Sequence, residues 1–169
     1  MTTRNASQGI LSDDSTEDRE KIVELLTKAY WMEIETVMSY IANSTNPDGV
    51  RAQEIIESLK TDVQEELGHA QQFADRIKEL YGVVPGSLDF SAEQSYLQPP
   101  DEQTDIVHVI KGVIEAETGA IEHYNLIIEE TEGVDPVTQD MVIAILRDEE
   151  QHRRLFEGFL REYEVEGRA

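Results

Sequence analysis

The chain has 169 residues, with 14 Lys and Arg against 36 Asp and Glu, which gives a formal net charge of −22 and a pI near 4.3. Such a negative field repels nucleic acid and anionic membranes, attracts cations, and suits a protein kept soluble at high salt, as in a halophilic source. Cysteine is absent, which excludes disulfides, iron–sulfur clusters and thiol catalysis. Any metal site must therefore use oxygen and imidazole ligands.

The N-terminal segment, residues 1–16, is rich in Thr, Ser, Asn and Asp, and its composition predicts a disordered tail. Residues 17–169 are predicted to form one helical domain with a core of its own. The tail carries no apolar stretch, so it resembles neither a signal peptide nor a membrane span. We expect a cytoplasmic protein without a membrane partner.

Four long helices are predicted from apolar residues that recur every three or four positions. They cover about residues 17–44, 50–80, 105–132 and 136–163. The Asn-Pro-Asp-Gly segment at 46–49 is a strong turn signal, and Gly82 is predicted to be the C-cap of the second helix. No segment alternates apolar and polar residues as a strand does, so the predicted fold class is all-α.

A long connection, residues 83–104, joins the second and third predicted helices and contains Pro-Gly and Pro-Pro breakers. It is too long for a turn between neighbouring antiparallel helices. It therefore predicts a crossover that starts the third helix at the far end of a four-helix bundle.

One glutamate interrupts the apolar row of each predicted helix. These four residues are Glu33, Glu66, Glu117 and Glu149. An unpaired carboxylate is costly to bury, and a bound cation removes that cost, although most acids here belong to solvated helix faces. His69 and His152 each follow a glutamate by three positions and so share its helix face. Two alternatives compete with Glu117, namely Glu115 and Glu122, and Glu35 lies close to Glu33.

The ligand pattern occurs twice. Glu33 precedes Tyr40 by seven residues, and 84 positions further along Glu117 precedes Tyr124 by seven. The two Glu-x-x-His motifs, with an additional acid before each, are 83 positions apart. This repeat predicts two copies of a helix pair, related by a pseudo-two-fold axis, with six ligands converging at the centre.

Three stretches carry a resemblance to known proteins. Residues 140–152 are similar to the fourth helix of bacterioferritins, and residues 33–40 to their first-helix ligand region. Residues 114–124 resemble the Dps-like ferritins of prokaryotes. As a whole the chain resembles the ferritin-like di-iron carboxylate superfamily, whose ligand rule is one Glu from each of two helices and Glu-x-x-His from each of the others.

The resemblance implies a ferroxidase that oxidises Fe²⁺ with O₂ or H₂O₂ at a di-iron centre. Two iron ions per subunit would be held by Glu33, Glu66, His69, Glu117, Glu149 and His152. Mn or Zn could occupy the same site. Tyr40, Tyr124 and Asp148 would support the ligands, although the tyrosines could be core aromatics and Asp148 a surface acid. The iron product would be stored in the hollow shell of a homo-oligomer.

The sequence departs from the pattern of these families at two places, which bear on haem binding and on the number of subunits. Leu67 stands where bacterioferritins have a haem-binding methionine, so no haem is expected. No fifth helix follows Tyr163, which favours an assembly of twelve subunits or a smaller one. The alternatives are a non-storing di-metal peroxidase, catalase or oxidase and a DNA-protecting protein of the Dps type. The last is disfavoured because the segment before Glu17 carries one Arg against two Asp, so no nucleic-acid partner is expected.

Overall fold

The structure is a computed structural model that describes residues 9–167. It contains four long helices: α1 (Thr16–Thr45), α2 (Gln53–Glu79), α3 (Ile106–Thr131) and α4 (Pro136–Glu166). α1 packs along α2, α3 packs along α4, and α1 also contacts α3, which completes a four-helix bundle. No strand occurs between residues 9 and 167, and the predicted all-α bundle is confirmed. Within the same residues no helix is long and apolar enough to cross a membrane.

The start of α4 is joined to the end of α2 by a buried polar cluster. The side chain of Asp135 caps α4 by accepting the backbone N–H of Thr138 at 3.1 Å, and Pro136 occupies the first turn. The guanidinium of Arg76 on α2 donates to both carboxylate oxygens of Asp135, at 2.9 and 3.0 Å. A local capping signal thus also fixes how the two helix pairs meet.

The C-terminus of α2 differs from the predicted glycine cap. Tyr81, not Gly82, takes the left-handed conformation, with φ of 64°. Gly82 follows it and donates its N–H to the carbonyl of Ile77 at 2.8 Å. A Cβ on Gly82 would lie 2.8 Å from side-chain carbons of Ile77 and Val23. Glycine is therefore required at this position because α1 packs too closely for a Cβ, and not because of the φ of Gly82.

Residues 9–15 pack against the bundle, so the prediction of a disordered tail is wrong for this part of the chain. Ile10 is buried in the core cluster at that end of the bundle, and a short 3₁₀ turn, Asp13–Ser15, leads into α1. The buried Arg19 donates to the carbonyl oxygens of Ile10 and Ser12. One guanidinium satisfies two backbone acceptors and so orders a polar segment that composition alone predicts to be disordered. The predicted tail at 1–8 lies outside the described residues.

The crossover between α2 and α3 lies along the bundle and is held by side chains of α1. The buried carboxylate of Glu35 accepts the backbone N–H groups of Glu93 at 3.0 Å and Gln94 at 2.7 Å. Further along, the amide of Asn43 donates to the carbonyl of Leu97 at 2.7 Å. The predicted long crossover is confirmed, and polar side chains of α1 satisfy its backbone groups.

Two apolar clusters fill the interior, one towards each end of the bundle. Leu26, Phe73, Tyr124, Ile127 and Ile145 belong to one cluster. Tyr40, Leu59, Ile110, Val113 and Phe156 belong to the other. The acidic side chains of the apolar rows lie between them, so both clusters keep water away from the centre.

Candidate metal centre

All six side chains singled out by the repeat lie together in the bundle interior. Their exposed fractions are Glu33 2%, Glu66 0%, His69 4%, Glu117 2%, Glu149 1% and His152 7%. α1 and α3 each contribute one glutamate, and α2 and α4 each contribute a glutamate and a histidine one helical turn apart. Each helix buries these groups because they fall on the stripe that faces the core.

The ligand atoms form two overlapping groups. One consists of Glu33, Glu66, His69 and Glu149, and the other of Glu66, Glu117, Glu149 and His152. In each group one oxygen or nitrogen from every residue lies within 4.8 Å of the rest. Glu66 and Glu149 belong to both. The arrangement therefore offers two adjacent cation positions. Both positions share the carboxylates of Glu66 and Glu149, and each has one imidazole of its own.

Both imidazoles turn Nδ1 towards the centre. Nδ1 of His69 is 3.0 Å from Oε1 of Glu149, and Nδ1 of His152 is 3.3 Å from Oε1 of Glu66. Their Nε2 atoms face outward, towards Asp148 at 3.4 Å for His69 and Glu65 at 2.6 Å for His152. An outer carboxylate that accepts Nε2–H fixes the ring and leaves the Nδ1 lone pair free for a cation.

The two tyrosines of the repeat are hydrogen-bonded to the glutamates that α1 and α3 contribute to the centre. Tyr40 on α1 donates to Oε1 of Glu117 on α3, and Tyr124 on α3 donates to Oε1 of Glu33 on α1. Burial, reinforced by these carboxylates, raises the pKa of both phenols well above their ordinary value. Both tyrosines therefore remain neutral hydrogen-bond donors.

The carboxyl groups compete for ionisation. Burial, with the neighbouring carboxylates Glu66 and Glu149, raises the pKa of Glu33 and Glu117 well above the usual range. Burial and the charge of Glu33 also raise the pKa of Glu149 to about 8. Burial opposes ionisation of Glu66 too, but its contacts with His152 and with the other imidazole prevail and lower its pKa to about 2. Four carboxylates cannot all be ionised here without cations.

The imidazoles supply positive charge when no metal does. Burial disfavours the imidazolium of His69, but contacts with Glu149 and Glu66 outweigh it and raise its pKa to about 10. Contacts with Glu66 and Glu117 likewise raise the pKa of His152 to about 10, against the effect of burial. Protons thus occupy the place that divalent cations would fill.

Unpaired polar atoms mark the same place. Oε1 of Glu66, Oε1 of Glu149 and Nδ1 of His152 are buried without a partner of hydrogen-bond geometry among the described residues. Unsatisfied buried groups of this kind are costly. Oxygen and imidazole donors in this number fit divalent first-row metals, so the residues present fit a pair of such ions.

The acids that compete with the assigned ligands lie elsewhere. Glu115 and Glu122 are exposed on α3, whereas Glu117 is buried. Glu35 is buried, yet its carboxylate binds the backbone of the crossover. The apolar stripe thus distinguishes the central glutamate from its neighbours on α1 and on α3.

Sequence reasoning missed two polar residues near the centre. Asp62 on α2 is 5% exposed, and burial raises its pKa to about 6. Gln94 of the crossover is 4% exposed, and its amide nitrogen donates to the hydroxyl of Thr36 at 2.9 Å. Asp62 lies one helical turn before the Glu-Glu-x-x-His motif, a spacing that could have revealed it. No local signal indicates Gln94, because it reaches the bundle from an irregular segment.

Sequence comparison identifies the family. The model of the ferritin-like domain matches residues 23–165, nearly all of the described chain. The chain belongs to the ferritin-like family. The predicted resemblance to this family is thereby confirmed.

Individual relatives agree with this assignment. The chain is 34% identical over 148 residues to the DNA protection during starvation protein of Pyrococcus furiosus, which covers 85% of this chain and 78% of the relative. Its fold is similar to that of a dodecameric thioferritin from Bacteroides fragilis, at 23% identity and a TM-score of 0.78 over 93% of this chain and 98% of that one. The bacterioferritin of Desulfovibrio desulfuricans is 22% identical with a TM-score of 0.75 over 89% and 84%.

Proposed function

We propose that this ferritin-like protein is a ferroxidase that binds two Fe²⁺ ions as substrate at the bundle centre and oxidises them with O₂ or H₂O₂. The observation that carries the proposal is the pair of ligand groups that share Glu66 and Glu149. A shared carboxylate holds two metal ions close together, so that both can deliver an electron to one oxidant molecule.

The charge of the ligand set supports iron as the substrate. Four ionised carboxylates and two neutral imidazoles balance two divalent cations, and oxidation to Fe³⁺ adds positive charge that the carboxylates stabilise. Mn²⁺ and Zn²⁺ fit the same donors, and metal availability would decide between them. The acidic surface of the chain, with its net charge of −22, raises the local concentration of any such cation.

The electron balance needs only the named oxidants. With H₂O₂, two ferrous ions give up one electron each, the O–O bond breaks, and two protons complete two molecules of water. With O₂, two electrons and two protons yield H₂O₂. The protein's part is to bind and position: Tyr40 and Tyr124 donate hydrogen bonds to Glu117 and Glu33, while Asp148 lies beside an imidazole.

A surface cavity adjoins the centre and supports access for substrate. It has a volume of about 620 Å³ and lies between α1, α3 and the crossover, with Glu24, Glu93 and Glu122 in its wall. Met32 and Gln94 line both this cavity and the small internal cavity at the metal centre. These two side chains therefore separate the buried carboxylates from an acidic opening.

Storage would follow from assembly into a hollow homo-oligomer, for which we favour twelve subunits. A groove of about 530 Å³ runs between α1 and α2, with Tyr30, Ile34 and Leu67 in its wall. Met38 and Ile41 continue the apolar face of α1 and are 57% and 52% exposed. Apolar surface of this kind supports burial against further copies of the chain.

DNA protection is named for the Pyrococcus relative, but charge argues against it here. A chain with 14 basic and 36 acidic residues repels the phosphate backbone. We expect no gel shift of duplex DNA at moderate salt, and a clear shift would contradict this. A non-storing peroxidase, catalase or oxidase is distinguished by iron loading, because such an enzyme would accumulate no mineral core.

The proposal is tested by stopped-flow oxidation of Fe²⁺ in single-site variants. Glu149→Ala removes a shared carboxylate, and we expect rapid oxidation to fall to the rate of protein-free solution. Glu117→Gln removes one corner of the site and should slow oxidation strongly, whereas Glu115→Gln, an exposed control on the same helix, should not. Circular dichroism must show intact helices in each variant. Unchanged kinetics in Glu149→Ala would refute the ferroxidase proposal.

A further inference from the structure

The small internal cavity at the metal centre is bounded by polar side chains that are not ligands. It has a volume of about 10 Å³, room for about one water molecule. All four central glutamates line it, whereas neither imidazole does. Thr36 and Gln94 also line it, and they belong to neither ligand group. The free space beside the metal positions therefore adjoins a hydroxyl and a carboxamide.

The two halves of the repeat differ at this cavity. The offset of 84 residues that relates α1 to α3 pairs Thr36 with Ala120 and Met32 with Ala116, and all four residues line the cavity. Alanine in the α3 half shows that the bundle packs here without a hydroxyl. Thr36 is only 7% exposed, so the α1 half buries a polar group that packing by itself does not require.

Gln94 reaches the cavity from the crossover and pairs with Thr36. Nε2 of Gln94 donates to the hydroxyl of Thr36 at 2.9 Å, and the hydroxyl lies 3.2 Å from Oε1 of the same carboxamide. The backbone is anchored separately, since the N–H of Gln94 donates to Glu35 at 2.7 Å and its carbonyl accepts Nε2 of Gln98 at 3.1 Å. The carboxamide can therefore change partners while the crossover stays in place.

Met32 and Gln94 form the wall between the internal cavity and the surface cavity of about 620 Å³. Both side chains are unbranched and can rotate. A molecule with two oxygen atoms exceeds the space for one water molecule, so its entry must displace this wall outward. Rotation of the Gln94 side chain breaks its hydrogen bonds to Thr36, and a molecule that forms hydrogen bonds of its own replaces them.

The two candidate oxidants differ in what they lose on entering a buried cavity. H₂O₂ donates and accepts hydrogen bonds in water, and losing them without replacement is costly. O₂ is apolar and loses no comparable bonds. A carboxamide and a hydroxyl beside the metal positions therefore favour entry of H₂O₂ and give O₂ no advantage. A site built to hydrogen-bond one substrate discriminates against an analogue that cannot form those bonds.

We propose that Gln94 and Thr36 bind the oxidant at the dinuclear centre and determine its selectivity for H₂O₂ over O₂. The inference rests on the ferroxidase activity under "Proposed function" and deepens it by assigning the residues that choose the oxidant. Nε2–H of Gln94 donates to a peroxide oxygen, and the hydroxyl of Thr36 accepts a peroxide O–H. Neither residue gives up a proton or an electron, because both electrons come from the ferrous ions and solvent supplies the two protons that complete the water product.

Stopped-flow mixing of anaerobic, Fe²⁺-loaded protein with H₂O₂ or with O₂, each over a range of concentrations, measures the selectivity. Gln94→Met keeps the length of the side chain and removes the amide, and Thr36→Val keeps the shape and removes the hydroxyl. Each variant should raise the half-saturating concentration of H₂O₂ roughly 3- to 10-fold, the effect of one lost hydrogen bond, with the limiting rate unchanged. Neither should slow oxidation by O₂. Thr36→Ser, which restores the hydroxyl, should keep the selectivity of the parent.

Two controls separate oxidant binding from a general disturbance of the site. Gln103→Met makes the same change at an exposed position of the crossover and should leave the reaction with both oxidants unaltered. Anaerobic titration with Co²⁺ reports on the metal positions without any oxidation. Its affinity should be the same in the parent, in Gln94→Met and in Thr36→Val.

The outcomes distinguish this inference from the ferroxidase proposal. A parent that oxidises Fe²⁺ rapidly but prefers O₂, an unchanged selectivity in both variants, or equal losses with the two oxidants would overturn the role of Gln94 and Thr36 and leave the ferroxidase intact. A parent no faster than protein-free solution with either oxidant would instead contradict the proposed function. If Gln94→Met fails to fold, Thr36→Val must by itself lower the selectivity for the inference to hold.

Discussion

Tyr40 on α1 donates a hydrogen bond of 2.5 Å to Oε1 of Glu117 on α3, across 77 positions of sequence. Tyr124 makes the reciprocal contact with Glu33. Each tyrosine of the repeat thus orients the glutamate of the opposite copy, and each also belongs to one of the two apolar clusters that enclose the centre. The hydrogen bonds couple the packing of the core to the position of the ligands.

Replacing Tyr40 by Phe should therefore weaken metal binding without removing core packing. The variant keeps the ring but leaves Oε1 of Glu117 without its donor. Loss of such a supporting hydrogen bond typically lowers metal affinity about 10–100-fold. Anaerobic titration with Co²⁺, followed by its visible absorption, measures the effect. Tyr81→Phe, at a 69% exposed position, is the control, and equal affinity in both variants would show that the phenol does not position the ligand.

The free energy of unfolding of the metal-free protein should fall as pH rises from about 6.5 to about 9. Surface carboxylates stay ionised throughout this window, so they do not contribute to the change. The pKa values of His69 and His152 are raised to about 10, so their stabilising contribution is complete below the unfolded value of 6.5 and is lost as pH rises towards 10. Glu149, with a pKa of about 8, also retains a proton only in the folded state and contributes in the same direction.

Metal should reverse this trend, because the ligands bind cations only after losing their protons. Melting temperatures of the metal-free protein should decline across the window, whereas the stabilisation added by saturating Zn²⁺ should increase. His69→Gln should flatten the decline, and His108→Gln, at an exposed position outside the centre, should not. A metal-free melting temperature that rises with pH would contradict the charge arrangement described for the centre.

The apolar groove between α1 and α2 predicts how assembly can be broken. Ile41 lies on the apolar face of α1 that continues this groove, and it is 52% exposed. Ile41→Glu places a charge there, and a buried unpaired charge at a subunit contact is strongly unfavourable. The parent should elute as twelve chains of 19.2 kDa, about 230 kDa, and the variant as smaller species. Leu126→Glu on α3, outside the groove, is the matched control. An unchanged mass for Ile41→Glu would place the subunit contact elsewhere.

The acidic surface predicts a dependence on salt. With a net charge of −22, repulsion between carboxylates destabilises the compact chain, and salt screens it. The screening length falls from about 10 Å at 0.1 M to about 3 Å at 1 M salt. The melting temperature should therefore rise between these concentrations of KCl, as expected of a protein from a saline environment. Full stability in dilute buffer would argue against adaptation to salt.

The sequence by itself determined the helices and most of the candidate centre, because both depend on local periodicity. A helix places positions three and four apart on one face, so a glutamate within an apolar row must be buried with that row. This relationship distinguished Glu117 from Glu115 and Glu122, and the repeat at offsets of 83 and 84 indicated convergence of six side chains. No tertiary information was needed for these inferences.

Only the tertiary structure decided which groups meet across the bundle. Tyr40 reaches Glu117, Asp148 reaches His69, and the buried Asp62 has an aliphatic counterpart in the other half of the repeat. The order of residues 9–15 and the path of the crossover likewise depend on side chains of α1 that accept or donate backbone hydrogen bonds. The contacts across the bundle join residues 59 to 79 positions apart, and their geometry follows from how the helices pack, which no local pattern encodes.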